Sequence, residues 1–214
     1  MTPSKAQQMP RVDAIPHPSP LAGTLVDWRQ TLQSHYLRLG RASRQRRFMA
    51  VLPDQSLRLI ADQAGPEIVL GIKADGRVVG VLEIFVTAHD HAEIGISVED
   101  TYQGRGFGKA LFIDGLAAAE RIGVRTADLY FASENTGIRH LVRAAGGQIV
   151  QSGADCEAHI DISRCHAGAC AWHGTARQVS RNCARIPCVD PADTTDVAGT
   201  APAHELLSTR KTRL

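Results

Sequence analysis

The residues whose types and spacing carry the most chemistry are Gln103-Gly104-Arg105-Gly106-Phe107-Gly108-Lys109. They stand between an alternating apolar stretch, Ala92 to Val98, and a helix-like run, Ala110 to Ile122. Glycines at 104, 106 and 108 leave backbone amides uncovered by Cβ atoms and free to take positive φ. The first amides of the helix that follows lack intrahelical partners, and its dipole puts partial positive charge at that end. Such a turn binds anions and suits a pyrophosphate. The dinucleotide fingerprint requires G-x-G-x-x-G, whereas these glycines fall as G-x-G-x-G. The phosphate loop of nucleotide hydrolases requires Ser or Thr after Gly-Lys, but Ala110 follows Gly108-Lys109 and Gln103 stands where its first glycine belongs. Both patterns fail. The one that fits is Q/R-x-x-G-x-G/A, on Gln103, Gly106 and Gly108.

Around this loop the periodicity lays out an alternation of helices and strands. Trp28, Leu32, Tyr36 and Leu39 recur at helical spacing and stop near Gly40; a second helical segment runs from Ser43 toward Gln63, kinked or divided at Pro53. Glu67 to Ile72 and Val78 to Val86 flank Asp75-Gly76, a hairpin turn signal. After a polar turn at His89-Asp90-His91 comes the strand 92–98, then the glycine loop and a helix that Gly123 ends. Thr126 to Ala132 reads as a strand, Ser133 as the N-cap of a helix that Gly146 stops, and Gln148 to Ser152 with Glu157 to Ile162 as a closing hairpin.

The Gln103–Gly108 pattern resembles the acetyl-coenzyme A loop of the GNAT superfamily of N-acetyltransferases. The segment Glu134 to Gly147 is similar to that family's N-x-x-apolar-x-x-L motif, and His35-Tyr36-Leu37-Arg38-Leu39-Gly40 resembles the S-x-Y-L-R-F signature of a bacterial subgroup that includes protein-lysine acetyltransferases. The resemblance covers most of residues 24–163. It implies an α+β fold with a central, mostly antiparallel, splayed sheet flanked by helices. It also implies acetyl-CoA as co-substrate, held by amides from Gly104, Arg105, Gly106, Phe107, Gly108 and Lys109 and by backbone groups of Ile96 and Val98 along the pantetheine arm. An amide there would polarise the thioester carbonyl. Asn135 lies at the mouth of the gap between the splayed strands, where it binds cofactor or caps the helix.

By the same resemblance Glu93 is the general base for a primary amine, on a protein lysine or a small molecule. Side chains at 93, 95 and 97 share a face, and Gly95 leaves space beside the carboxylate. Glu83, on the preceding strand, is the alternative base. Many relatives place a tyrosine general acid where this chain has Val142; Tyr130, Ser133 or His140 are substitutes that nothing in the sequence ranks. The departure keeps open an acyl-CoA-binding sensor without turnover.

Composition sets the remaining expectations. A net charge of +2 over 214 residues gives no electrostatic case for nucleic acid or membrane binding. The N-terminus has no apolar run before Pro20 and no stretch approaches the ~20 apolar residues of a membrane span, so a cytoplasmic protein is expected. Arg38, Arg41, Arg44, Arg46 and Arg47 read as a solvated helix face in preference to a site for an acidic partner or the 3′-phosphate of coenzyme A. The organisation expected is a flexible Pro-rich lead-in over 1–22, an acetyltransferase domain over 23–163 and a disordered tail over 164–214. The five cysteines all follow residue 155, and their spacing around His166 and His173 does not match zinc geometry, so no metal is expected. The acceptor's identity and the oligomeric state are not legible.

Overall fold

The computed structural model describes residues 19–20 and 28–164. The expectations for Cys165, Cys170, Cys183 and Cys188, and for nearly all of the two terminal segments, lie outside the described residues. Three helices come first: α1 (Trp28–Arg38), α2 (Arg41–Phe48) and α3 (Asp54–Gln63). Pro53 divides the second helical segment fully, standing as the N-cap of α3. The strands β2 (Ile68–Ala74), β3 (Arg77–Ala88) and β4 (His91–Val98) form an antiparallel meander, with β2 turning into β3 at Asp75 and Gly76 through φ of 50° and 75°. A single 3-10 turn, Asp100–Tyr102, leads to α4 (Phe107–Arg121); β5 (Thr126–Ala132), α5 (Thr136–Ala144), β6 (Gln148–Ser152), β7 (Asp155–Asp161) and a closing turn α6 (Ile162–Arg164) follow. This is the mixed α/β, mostly antiparallel arrangement expected.

Two details differ from expectation. The lead-in contributes a two-residue strand, β1 (Ser19–Pro20), on the edge beside β2, the kind of position at which a sheet admits proline. Ser133 does not cap α5: its N–H donates to the Ala154 carbonyl at 2.8 Å, which continues the β5–β7 ladder by one residue, and the cap falls on Asn135.

The sheet runs β1-β2-β3-β4-β5-β7-β6. Each face carries its own core. α4 covers the one bearing Leu70, Ile72, Leu82, Ile84, Ile94 and Leu129, with Leu141 and Val142 of α5 at its margin. α1 and α3 cover Val69, Val78 and Val81 on the other with Leu32, Tyr36, Leu57 and Ala61. β3 lies between both layers and is buried almost throughout, each large apolar side chain contributing roughly 1.5–3 kcal/mol. No described helix is long and apolar enough to cross a membrane.

What positions the site is the one parallel junction. β4 and β5 pair only at His91↔Thr126, Ala92↔Ala127 and Glu93↔Asp128. Beyond these the strands part, so among the described residues β4 from Ile94 onward has no strand beside it on that side. The right-handed twist of neighbouring strands helps them diverge.

Candidate active site

The gap between β4 and β5 opens into a cleft of about 370 Å³. Ile96, Ser97 and Val98 form its floor, the glycine loop one wall, α2 a second and the start of α5 a third. The loop takes the shape its spacing implies. Gly104 and Gly106 have φ of 72° and 86°, where a Cβ would be strained, and Gly106 is the N-cap of α4. The following amides, Phe107, Gly108 and Lys109, have no carbonyl a turn behind them within the helix.

Gln103 anchors this turn. Its amide nitrogen donates to the Val98 carbonyl at 2.8 Å and to Ser43 Oγ at 2.9 Å, and its oxygen accepts from Arg46 at 3.3 Å. Asp100 completes the link to α2 by accepting from the Gly40 N–H and from Ser43 Oγ, both at 2.8 Å. Burial opposes the Asp100 charge, but these donors outweigh it and hold its carboxyl below the ordinary range.

Of the residues expected to hold cofactor, Ile96, Val98, Gln103, Gly104, Gly106, Gly108, Lys109 and Asn135 line the cleft. Arg105 and Phe107 do not. Arg105 reaches over the Tyr102 ring, 5.4 Å from its centroid, and Phe107 is buried edge-on to the same ring, leaving their main chain as their part of the loop. Asn135 does cap α5, its side-chain oxygen accepting from the Ile138 N–H at 3.3 Å, while standing at the cleft's lip. Ser43, Arg46, Arg47, Ser97 and Thr136 also line the cleft and were not singled out as site residues by spacing.

The arginines are a solvated face only in part: Arg38 and Arg41 are exposed, and the rest are not. Arg38 donates to Glu99 at 2.7 Å and to the Val78 carbonyl at 2.8 Å, and Arg44 ties the ends of α1 and α3 through the carbonyls of Leu37 and Leu39 and through Asp54. Arg46 faces the cleft. Arg47 turns inward, and its Nη2 donates to Glu83 at 2.7 Å. Their helical spacing suggested solvent, but the sheet beneath carries buried carboxylates for them. The space that Gly95 leaves is filled by the Arg47 guanidinium: a Cβ there would stand 2.1 Å from Nη2.

Glu83 cannot serve as a free base. It is 1% exposed and accepts from both Arg47 and the Tyr36 hydroxyl, the latter at 2.5 Å. Burial opposes Arg47's charge, and Glu83 more than offsets it, so the guanidinium pKa is raised; burial, then Glu83, keeps Tyr36 protonated. His35, with no exposure, shares a hydrogen bond with Ser97 Oγ at 2.9 Å, and burial lowers its pKa. Thus His35, Tyr36 and Arg38 all pin α1 onto β3, β4 and the residue after it.

Glu93 is half-buried at the root of the splay, outside the cleft lining, with Phe85 and Asp128 as its cross-strand partners. Around it on the same face are Tyr130 and the pair Glu157 and His159. Asp128 accepts or shares bonds with His91 at 2.9 Å and His159 at 2.6 Å. Asp128, Glu157 and His159 place possible metal-ligating atoms within 4.8 Å of one another. Tyr130 is kept protonated by burial first and then by Glu157. Val142 is fully buried in the α4-side core.

The arrangement is one into which a long anionic ligand could lie. Glycine amides, Arg46 and Lys109 stand at one end, strand edges in the middle and a carboxylate beyond the inner end. Structural comparison finds the GNAT domain of S. lividans PAT at a TM-score of 0.55 and 20% identity, covering 67% of this chain and 89% of that one. The ribosomal-protein-S18-alanine N-acetyltransferase of Escherichia coli matches at TM-score 0.46 and 18% identity, over 57% of this chain and 84% of that one. The paia N-acetyltransferase of Thermoplasma acidophilum, in complex with coenzyme A, matches at 0.48 and 16%, over 62% and 92%. At these identities the likeness to the first shows the fold. No curated protein matches the sequence. The model of the acetyltransferase (GNAT) family matches residues 29–146, more than half of the chain, from the second residue of α1 to just past the end of α5. The chain therefore belongs to the acetyltransferase (GNAT) family.

Proposed function

We propose that this protein transfers an acetyl group from acetyl-CoA to a primary amine, on a protein lysine or a small molecule, by direct attack. The observation that carries this reading is the three-pair junction of β4 and β5, which opens onto the glycine loop and ends at Glu93. Acetyl-CoA supplies the acyl group as a thioester. The amides of 104–109, with Arg46 and Lys109, hold the pyrophosphate and orient the arm along Ile96 and Val98. The Val98 carbonyl already accepts from Gln103, so the contribution of that residue to the arm is chiefly its N–H. A main-chain N–H on this edge polarises the thioester carbonyl. Glu93 takes a proton from the acceptor ammonium; the freed nitrogen forms the C–N bond as the C–S bond breaks, and the thiolate leaves to be protonated.

A second reading, an acyl-CoA sensor without turnover, is favoured by one observation: the place of the tyrosine acid holds Val142, buried in the core. Calorimetric titration with acetyl-CoA, NAD and ATP, followed by thiol release against a panel of amines, separates the two. Binding of acetyl-CoA alone with amine-dependent thiol release is expected. Binding without turnover across the panel supports the sensor, and no binding overturns both.

A further inference from the structure

The place of the tyrosine acid holds Val142, buried in the core, and Tyr130, Ser133 and His140 lie off the cleft lining. Ser97 does line it, on the floor between Ile96 and Val98, whose main chain is proposed to hold the pantetheine arm. Behind Ser97 stands His35 of α1, fully buried, its Nε2 2.9 Å from the serine Oγ. The other ring nitrogen, Nδ1, faces Glu99 at 3.8 Å from Oε1, beyond hydrogen-bond length, and is buried with no other partner. Fastening α1 to the sheet does not call for this. Glu99 is already held by Arg38 at 2.7 Å and by Arg77 at 2.6 Å, and an apolar side chain in place of His35 would avoid the unpaired nitrogen. The carboxylate decides the tautomer. Its two arginines keep Glu99 ionised, and a negative charge 3.8 Å from Nδ1 favours a proton there over a lone pair. Nε2 is then the acceptor, and the Ser97 hydroxyl donates to it. Burial lowers the His35 pKa, so the ring is neutral near pH 7 and free to take a proton. The charges that face it are Glu99 and Arg38, with Glu83 of β3 farther off; Arg77 stands behind Glu99 and Arg47 of α2 behind Glu83.

We propose that Ser97 is a further catalytic residue of this cleft, the group that protonates the leaving thiolate, with His35 and Glu99 as the positioning residues behind it. The proposal deepens the function proposed above and rests on acetyl transfer to an amine in this cleft. Hydroxyl, imidazole and carboxylate stand in the order in which a nucleophile, its base and the group that orients the base are found, and here they carry a proton. In the tetrahedral adduct the attacking nitrogen holds one proton more than the amide product. That proton passes to Ser97 Oγ as the serine's own passes to His35 Nε2, and the imidazolium forms beside Glu99. As the C–S bond breaks, its electron pair goes to sulfur, Oγ–H is given to the thiolate and the Nε2 proton returns to Oγ. One proton has moved from nitrogen to sulfur, and the relay ends as it began.

The first test requires no acceptor. In the full chain labelled with 15N-histidine, the His35 ring is identified as the one whose Nε2 signal moves in Ser97→Ala, and its two nitrogens report which of them bears the proton near neutral pH. Nδ1–H with a bare Nε2 is expected; the proton on Nε2 overturns the proposal. The second test measures thiol release with the amine found in the panel. Ser97→Ala and His35→Gln should each lower kcat by about a hundredfold, with acetyl-CoA affinity by calorimetry unchanged. The double variant should be no slower than either, because the two residues act as a unit. A kcat in Ser97→Ala within about twofold of the parent's overturns the proposal and leaves acetyl transfer standing, and so does a loss that appears only as weaker binding of acetyl-CoA. If His35→Gln fails to fold, the tautomer and Ser97→Ala decide. Failure of the underlying reading shows separately: a parent that binds acetyl-CoA but releases no thiol with any amine removes the transferase and this proposal with it.

Discussion

Gly106 shows how much a single backbone position decides. Its φ of 86° turns the chain from the 3-10 turn into α4 and aims the helix's first amides at the cleft. Gly106→Asp adds a carboxylate at the point where the pyrophosphate is proposed to lie. We expect acetyl-CoA affinity to fall by about a hundredfold or more, measured by calorimetry, while a urea titration registers a loss of only about 1 kcal/mol from the left-handed conformation. Unchanged affinity would sink the loop assignment. Glycine spacing was readable because its message concerns the main chain, which sequence neighbours alone constrain. Arg47 was not, because its meaning depends on Gly95 lying beneath it and Glu83 beside it, contacts made across 48 and 36 positions of chain that only the sheet register brings together.

At the scale of elements, α5 ties cleft to core with its nine residues. Leu141 and Val142 face the core, and Asn135 closes the end of the helix that meets the cleft. Asn135→Ala should cost about 1 kcal/mol in urea unfolding, whereas Asn135→Asp keeps the cap and leaves stability within a few tenths. The aspartate variant nonetheless puts a negative charge on the lip of a cleft bearing Arg46, Arg47 and Lys109, so its acetyl-CoA affinity should fall. Equal affinity in parent and aspartate variant would mean that Asn135 only caps. Most element bounds were legible: β5 and β6 fall where alternation placed them, and the Asp75-Gly76 turn is where its residue types put it. The start of α5 was not, since both Ser133 and Asn135 suit a cap and a bond from Ser133 to Ala154, at the end of the β5–β7 ladder, chose between them.

Over the whole molecule the two cores share β3, and the layer of α1 and α3 is fastened to it by buried charge as well as by apolar contact. Glu99 shows the strength of that fastening. Burial opposes its charge, but His35, Arg38 and Arg77 outweigh it and hold the carboxyl down to about 2. Because the folded value lies below the unfolded one, its contribution, on the order of 3 kcal/mol, is present above about pH 4.5 and is lost as pH falls toward 2. His35 acts in the same sense at higher pH. It is buried neutral with its pKa lowered, so stability starts to decline as pH falls below about 6.5. Urea midpoints measured from pH 8 to pH 3 should therefore fall in two stages, and Glu99→Gln should abolish most of the lower one. A flat profile would contradict both assignments. The three-pair junction carries a last consequence. Ile94-Gly95-Ile96-Ser97-Val98 is, on its β5 side, a strand edge inside the sheet, with neither lysine nor proline to guard it. The sheet thus carries an unpaired edge at its centre as well as at its margins, and the ligand proposed for the slot would cover the inner one.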